Sequence, residues 1–337
     1  MRLPGLRVRL VFWSLLLALL GGSIAWMVRM PGRSHAGPLS PLTAIEVELE
    51  ARLRRHVEVL AGQIGERNLR RYEALQAAAA YVEASLAGPG DRVESETFTV
   101  EGLDVRNLVL DRRGSDRAGE IVVVGAHYDS VLGSPGADDN ATGTAALIEI
   151  ARLLAGRRHR RALRFAAFVN EEPPYFQTDA MGSLVHARRA RGRGDKVVAM
   201  LSLETIGYYS EAPDSQQYPF PLGLFYPSRG NFIGFVGNTG SAGLVRQAVA
   251  SFRSHTAFPS EGAAVPALIP GVGWSDHWAF WQAGYPAIMA TDTAPFRYPA
   301  YHAPDDTPDK VDYDRLARVV TGLLRLVEEL AGPVSDR

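Results

Sequence analysis

The chain has 337 residues, 46% of them hydrophobic and 22% charged, enough to bury a large core in one or two domains. Its 36 Lys and Arg against 37 Asp and Glu leave a net charge of −1, which argues against nucleic acid as a partner, since such proteins carry a basic face. No cysteine is present, so disulfides and thiolate nucleophiles are excluded, and any bound metal must be held by His and carboxylates.

Arg2, Arg7 and Arg9 precede an uncharged run over residues 10–28 (LVFWSLLLALLGGSIAWMV), which Arg29 closes. A run of about 20 apolar residues spans a bilayer as a helix, and arginines ahead of it favour a cytoplasmic N-terminus. The sequence therefore predicts a membrane-anchoring transmembrane helix or signal segment over residues 1–30. The remainder is expected on the periplasmic or extracellular side, or secreted if the segment is cleaved. Residues 31–41 (PGRSHAGPLSP) read as a linker, which leaves 42–334 as the folded domain.

Ile45, Leu49, Leu53, Val57 and Leu60 recur at helical spacing, as do Leu75, Ala79, Val82 and Leu86 ahead of Gly88. Short strands are predicted over 96–100 and 106–110. From residue 120 apolar runs alternate with amphipathic segments. The runs are 121–126 (IVVVGA), 163–169 (LRFAAFV), 197–203 (VVAMLSL) and 287–290, with a helix carrying Ala146, Ile150, Leu153 and Leu154 between the first two. Near-continuous apolar strands separated by helices indicate a mainly parallel sheet covered on both faces. A helix over 313–330 closes the chain. Residues 211–230 (EAPDSQQYPFPLGLFYPSRG) follow neither period, and their aromatic content predicts an ordered loop over the functional site.

Metal-competent residues follow each buried run. His127-Tyr128-Asp129 follows the first, Glu171-Glu172 the second and Glu204 the third. In open α/β sheets, sites lie beyond the carboxyl ends of the strands, so these segments are expected to converge. A metal-bound imidazole gives its second N–H to a carboxylate, and Asp129 is a local partner of that kind for His127; a structural histidine is the alternative. Adjacent Glu171 and Glu172 repel, so a buried pair calls for cations; one could ligate while the other accepts a proton from metal-bound water. The alternative is a solvated strand end before Pro173-Pro174. Of Asp138 and Asp139, one suffices to cap the following helix and the other is spare, and a carboxylate can bridge two cations. His302 sits in the turn-rich YHAPDDTPDK, where Asp305 and Asp306 are read as organising the turn. Two His and three carboxylates without sulfur suit zinc, with manganese or cobalt as substitutes.

In this order, the segments GAHYDSV, GADDNATGTAAL, NEEPPYFQTDAMGS, LSLETIGYY, GWSDHWAFWQAGYPAI and YHAPDDTPDKVDY resemble the zinc-dependent aminopeptidase family with a co-catalytic dizinc centre. The resemblance runs from about residue 45 to 330. It implies an α/β three-layer sandwich around a central mixed, mainly parallel eight-stranded sheet. It further implies two zinc ions per chain and a peptide substrate. Asp139 would bridge, His127 and Glu204 would complete one zinc, and Glu172 and His302 the other. Glu171 would be the general base, Asp129 the orienter of His127, and Tyr301 a donor to the oxyanion. A cis peptide between Asp139 and Asn140 is implied as well. One departure is Glu204, where the family more often has Asp.

Asp276 and His277 match a segment lining the family's substrate cleft, or form a buried pair fixing a loop. Trp274, Phe296 and Tyr298 (with Trp278) are candidate pocket walls or core, and Arg297 could meet a substrate carboxylate or a surface acid. His35, His56, His159, His186 and His255 are read as surface or structural. Two other functions share the resemblance: a single-zinc glutaminyl-cyclase-like acyltransferase, and a non-catalytic ectodomain of the transferrin-receptor kind.

Overall fold

The computed structural model describes residues 6–334; Arg2 and the rest of the first five residues, part of the expected N-terminal segment, lie outside them. Residues Leu6–Val28 form one helix, α1. The expected membrane span is not borne out, because among the described residues no helix is long and apolar enough to cross a membrane. The helix takes in Arg7 and Arg9 at its start, ahead of the uncharged run. Its C-terminal end is tied to the folded domain: Arg246 donates to the Trp26 carbonyl and lies 4.5 Å over the Trp26 ring.

After an irregular stretch, α2 (Ala44–Val57) opens on a capping box between Thr43 and Glu46 and runs on into a wider turn, Glu58–Ile64. Helix α3 (Tyr72–Leu86) leads to the hairpin β1 (Val93–Val100) and β2 (Leu103–Arg112). The alternating part then follows: β3 (Arg117–His127), α4 (Gly143–Leu153), β4 (Arg161–Phe168), α5 (Gly182–Arg193) and β5 (Lys196–Glu204). Beyond the 211–230 loop come β6 (Ile233–Gly237), α6 (Ala242–His255), β7 (Ser260–Ala264), α7 (His277–Gln282), β8 (Ala287–Thr291) and α8 (Tyr313–Ala331).

The eight strands form one mixed sheet in the order β1-β2-β4-β3-β5-β8-β6-β7. Its centre, β4-β3-β5-β8, is parallel; β1-β2, β2-β4 and β6-β8 are antiparallel. The sequence patterns predict β1 to β5 and β8. They miss β6 and β7, whose segments IGFVG and SEGAA are short and glycine-bearing, with none of the sustained alternation that marks a strand.

Period-two alternation divides the apolar residues between the two faces. Val122 and Val124 of β3, Phe165 of β4 and Leu201 and Leu203 of β5 join the core packed by α2, α3, α4, α6 and α8. Val123, Phe168 and Met200 turn the other way, onto α5 and α7. The sandwich thus has three layers, and both faces of the central strands are dry.

The parallel centre delivers His127, Glu204 and the Glu171-Glu172 pair to one end of the sheet. Helix α4 begins so close to β5 that a Cβ on Gly143 would lie 2.4 Å from the Leu203 carbonyl oxygen and 2.3 Å from Asn140 Oδ1. Neither neighbour can yield, since one is strand backbone and Asn140 is itself bonded to the Gly143 and Thr205 N–H groups. Gly143→Ala is therefore expected to destabilise the fold by about 1–3 kcal/mol, the usual range for overpacking. Denaturant unfolding of chelator-treated protein measures this without a contribution from bound metal.

Candidate metal centre

Asp139 stands between two histidines and turns one oxygen to each. Its Oδ1 is 3.3 Å from His127 Nε2 and its Oδ2 is 3.1 Å from His302 Nε2. Glu204 Oε2 lies 3.4 Å from His127 Nε2, and Glu172 Oε2 lies 3.2 Å from His302 Nε2. Two groups result, His127–Asp139–Glu204 and Asp139–Glu172–His302, each able to hold a metal ion and sharing Asp139. Glu171 Oε2 comes within 3.8 Å of His127 Nε2 and belongs to neither group. The sequence-predicted ligands thus converge from five separate segments.

Each ligand is held by a partner behind it. Asp129 accepts the Glu171 and Glu172 backbone N–H groups, at 3.2 Å each, so it braces the acidic pair as well as facing His127 Nδ1 at 3.6 Å. Asp306 accepts the Asp138 and Asp139 N–H groups at 2.8 and 3.1 Å. These bonds tie the turn after His302 to the Asp139 segment. The Asp139–Asn140 peptide is cis, as the resemblance implies. Ser275 donates to Glu204 Oε2 at 2.7 Å and shares a 2.8 Å bond with Ser202. Tyr301 stacks on the His302 ring at 3.9 Å.

The electrostatics call for cations. His127, Asp139, Glu171, Glu172 and Glu204 are all buried. Burial pushes the Glu172 carboxyl up to about 8, with Asp139 adding to the shift. Burial likewise raises Glu171 well above its ordinary value, and it also raises Glu204. Burial alone would lower His127 and His302, but the carboxylates facing them prevail: His127 ends well above its ordinary value and His302 at about 10. Asp139 goes down, because the two imidazoles outweigh its desolvation. His127 Nδ1 and Nε2, Asp139 Oδ1 and Glu172 Oε1 are buried without a hydrogen-bond partner. A donor set of imidazole nitrogens and carboxylate oxygens turned toward one another, with buried polar atoms left unpaired, fits zinc.

A cleft opens beside this centre, lined by Glu204 and Tyr301 and walled by Trp274 and Phe296. The 211–230 loop covers it with Tyr218, Leu222 and Tyr226, as its composition predicts. The other candidates, Trp278 among them, do not line the cleft. Tyr298 is buried against Tyr208 and donates to Asp306. Asp276 and His277 are fully buried, and His277 Nε2 donates to the Val272 carbonyl at 2.7 Å. Arg297 is buried and donates to Gln216 and to the Phe232 carbonyl rather than to a surface acid.

Sequence reasoning misses Arg67 and Ser275. Arg67 is fully buried and donates to the carbonyls of Tyr128, Gly65, Pro135 and Gly136, so it fastens the segments bearing His127 and Asp139 to the turn after α2. A lone arginine with carbonyl partners leaves no pattern in a sequence.

The fold and the site together define a metal-dependent α/β hydrolase. The model of "Peptidase family M28" matches residues 107–327. The uncharacterized protein YfbL of Escherichia coli (strain K12) is 38% identical over 302 residues, covering 87% of this chain and 91% of that one. Among solved structures, BSAP, a zinc aminopeptidase from Bacillus subtilis, superposes with a TM-score of 0.64 at 16% identity, over 86% of this chain and 96% of that one. A glutaminyl cyclase from Fimbriiglobus ruber does so with a TM-score of 0.59 at 19% identity, over 89% and 99%. At these identities the superpositions speak for the fold. The chain belongs to peptidase family M28 and is a zinc-dependent peptidase.

The shifted groups set a pH dependence for the metal-free protein. Glu172, raised to about 8, binds a proton in the folded state that the unfolded chain has already lost above pH ~4.5. His302, raised to about 10, keeps its proton when the unfolded chain releases it above pH ~6.5. In both windows the folded state holds more protons, so stability falls as pH rises. The expected result is a Tm of chelator-treated protein that declines from pH 5 to 9, and a flatter profile when zinc is restored.

Proposed function

We propose that the chain is a two-zinc aminopeptidase that releases N-terminal residues from peptides. The observation carrying this is Asp139, whose two oxygens face His127 and His302 from opposite sides at 3.3 and 3.1 Å. A carboxylate so shared suits a bridge between two cations, and two-metal sites hold their ions about 3.5–4 Å apart. His127 and Glu204 complete one position, Glu172 and His302 the other.

Bound zinc supplies Lewis acidity, polarising the scissile carbonyl and lowering the pKa of water. The protein's own groups do the rest. Glu171, buried beside the centre and outside both ligand groups, accepts the proton of the attacking water and returns it to the leaving amine. Asp129 orients His127 and, through the Glu171 and Glu172 N–H groups, keeps base and ligand in register. Tyr301, whose hydroxyl burial and nearby carboxylates keep protonated, donates to the carbonyl oxygen as charge builds on it. The apolar cleft receives the substrate's N-terminal side chain. Glutaminyl cyclization is the second reading, favoured by the superposition on the Fimbriiglobus ruber enzyme; the shared Asp139 argues for two metals and for hydrolysis.

The proposal includes action outside the cytoplasm, supported by the uncharged run over residues 10–28 behind basic residues. Protease added to spheroplasts, or recovery of the chain in the medium, should then reveal the domain outside the cytoplasm.

Metal analysis of purified protein and hydrolysis of aminoacyl-aminocoumarin substrates test the activity. Two zinc ions per chain with release of coumarin are expected. One zinc per chain and cyclization of N-terminal glutaminyl peptides would transfer the assignment to the cyclase reading. Glu171→Gln should lower kcat by roughly 10²–10⁴-fold, the usual share of general acid–base catalysis, with zinc content intact. Glu172→Gln should lose metal, chiefly beside His302. The reverse pattern would exchange the two roles.

A further inference from the structure

The strand register extends the edge of the metal centre into the floor of the cleft. Glu204 pairs with Thr291 across β5 and β8, Thr291 with Gly234 across β8 and β6, and Gly234 with Glu261 across β6 and β7. Paired residues on neighbouring strands face the same side of a sheet. Glu204, Thr291, Gly234 and Glu261 therefore form one row across four strands, and all four line the cleft. With strands about 4.8 Å apart, Gly234 lies roughly 10 Å from Glu204 along this row. Met289, Val236 and Ala263 form the parallel row beside it and line the same cleft.

Gly234 is the point of the row without a side chain, and the floor is lowest there. A Cβ on it would meet the Thr291 carbonyl oxygen at 3.3 Å and the Thr293 methyl at 3.5 Å. A single methyl thus needs only a slight adjustment, whereas a larger side chain has to project into the cleft. Above the floor, Trp274 stacks on Phe296 at 6.3 Å and Tyr218 on Tyr226 at 5.7 Å. The polar groups of the walls are already engaged. Tyr226 donates to the Gly262 carbonyl and Tyr218 to the Pro227 carbonyl, Gln216 is bonded to Thr293 and Arg297, and Glu261 faces Arg253 at 3.6 Å.

We infer that Gly234 is a specificity-determining residue: it sets the depth of a cross-strand slot that receives the side chain of the substrate's N-terminal residue. The slot takes long or aromatic apolar side chains, which leave Glu204 and the metals, pass over Thr291 and come to rest above Gly234. Polar side chains find little there, because the groups that could recognise them are already engaged by the protein. This inference rests on the aminopeptidase reading and adds to it the residue that selects among substrates.

The test compares phenylalanyl-, alanyl- and lysyl-aminocoumarin with the full chain, its Gly234→Ala and its Gly234→Val, with zinc content and Tm measured alongside. The wild type should prefer the phenylalanyl substrate. The ratio of kcat/KM for phenylalanyl over alanyl should fall by at least about 10-fold in Gly234→Val, within the range that one or two methylenes command in an apolar pocket. Gly234→Ala should fall between, and the loss should appear in KM more than in kcat. An unchanged ratio, with both substrates slowed together, would overturn the slot and leave the aminopeptidase reading standing. A wild-type preference for the lysyl substrate would overturn it too, by making Glu261 a charge-reading group. Failure of the wild type to cleave any of the three would remove the aminopeptidase reading and the slot with it.

Discussion

The site depends on the Asp139 carboxylate, held between two imidazoles in a setting that burial has stripped of water. A buried carboxylate is costly unless it is paired and hydrogen-bonded. Here its nearest partners are His127 and His302, each facing a second acid, Glu204 or Glu172. Burial sets these groups against one another, and it pushes the carboxyls of Glu172 and Glu204, with that of neighbouring Glu171, toward the protonated form. Cations placed among them would relieve the conflict. The rest of the structure around the site serves to keep this conflict from relaxing in any other way.

That service is visible in where the chain is pinned. The Asp139 segment is gripped from one side by Asp306, through two backbone N–H groups, and from the other by Arg67, through the Pro135 and Gly136 carbonyls. Asn140 reaches across to the Leu203 carbonyl and the Thr205 N–H, fastening the same segment to the end of β5 beside Glu204. Grips from residues 67, 140 and 306 come from parts of the chain far apart in sequence. A ligand set assembled this way is a property of the folded domain and of no local motif.

This explains what the sequence could and could not disclose. The parallel centre was legible, because buried strands such as IVVVGA and VVAMLSL are continuous apolar runs ending in chemistry-bearing residues. The ligands were legible because each follows its strand directly or sits in a turn of unusual composition. Strands β6 and β7 were not, since Gly234 and Gly262 thin their patterns; the glycine that hides β6 from the sequence also lowers the cleft floor. Arg67 acts by donating to backbone carbonyls and Ser275 through a single hydroxyl, as any arginine or serine can, so only the fold singles them out. Asp276, His277 and Tyr298 carry polar groups that suit a binding site, yet packing turns them inward, onto the Val272 carbonyl and Asp306 in the last two cases.

Glu204 is where the metal centre and the cleft meet, and its identity has consequences for both. A glutamate reaches further than an aspartate and has one more torsion to fix. Ser275 fixes it, donating to the oxygen that faces His127, and Ser202 behind holds Ser275. Because Ser202 and Glu204 stand two apart on β5, they share a face of the sheet, and the strand itself sets the spacing of the pair. The same register carries Glu204 onto Thr291 and the cleft floor. A shift of β5 by one residue would turn Glu204 away from His127 and the cleft alike. The candidate metal centre and the cleft floor are thereby built on a single alignment of strands.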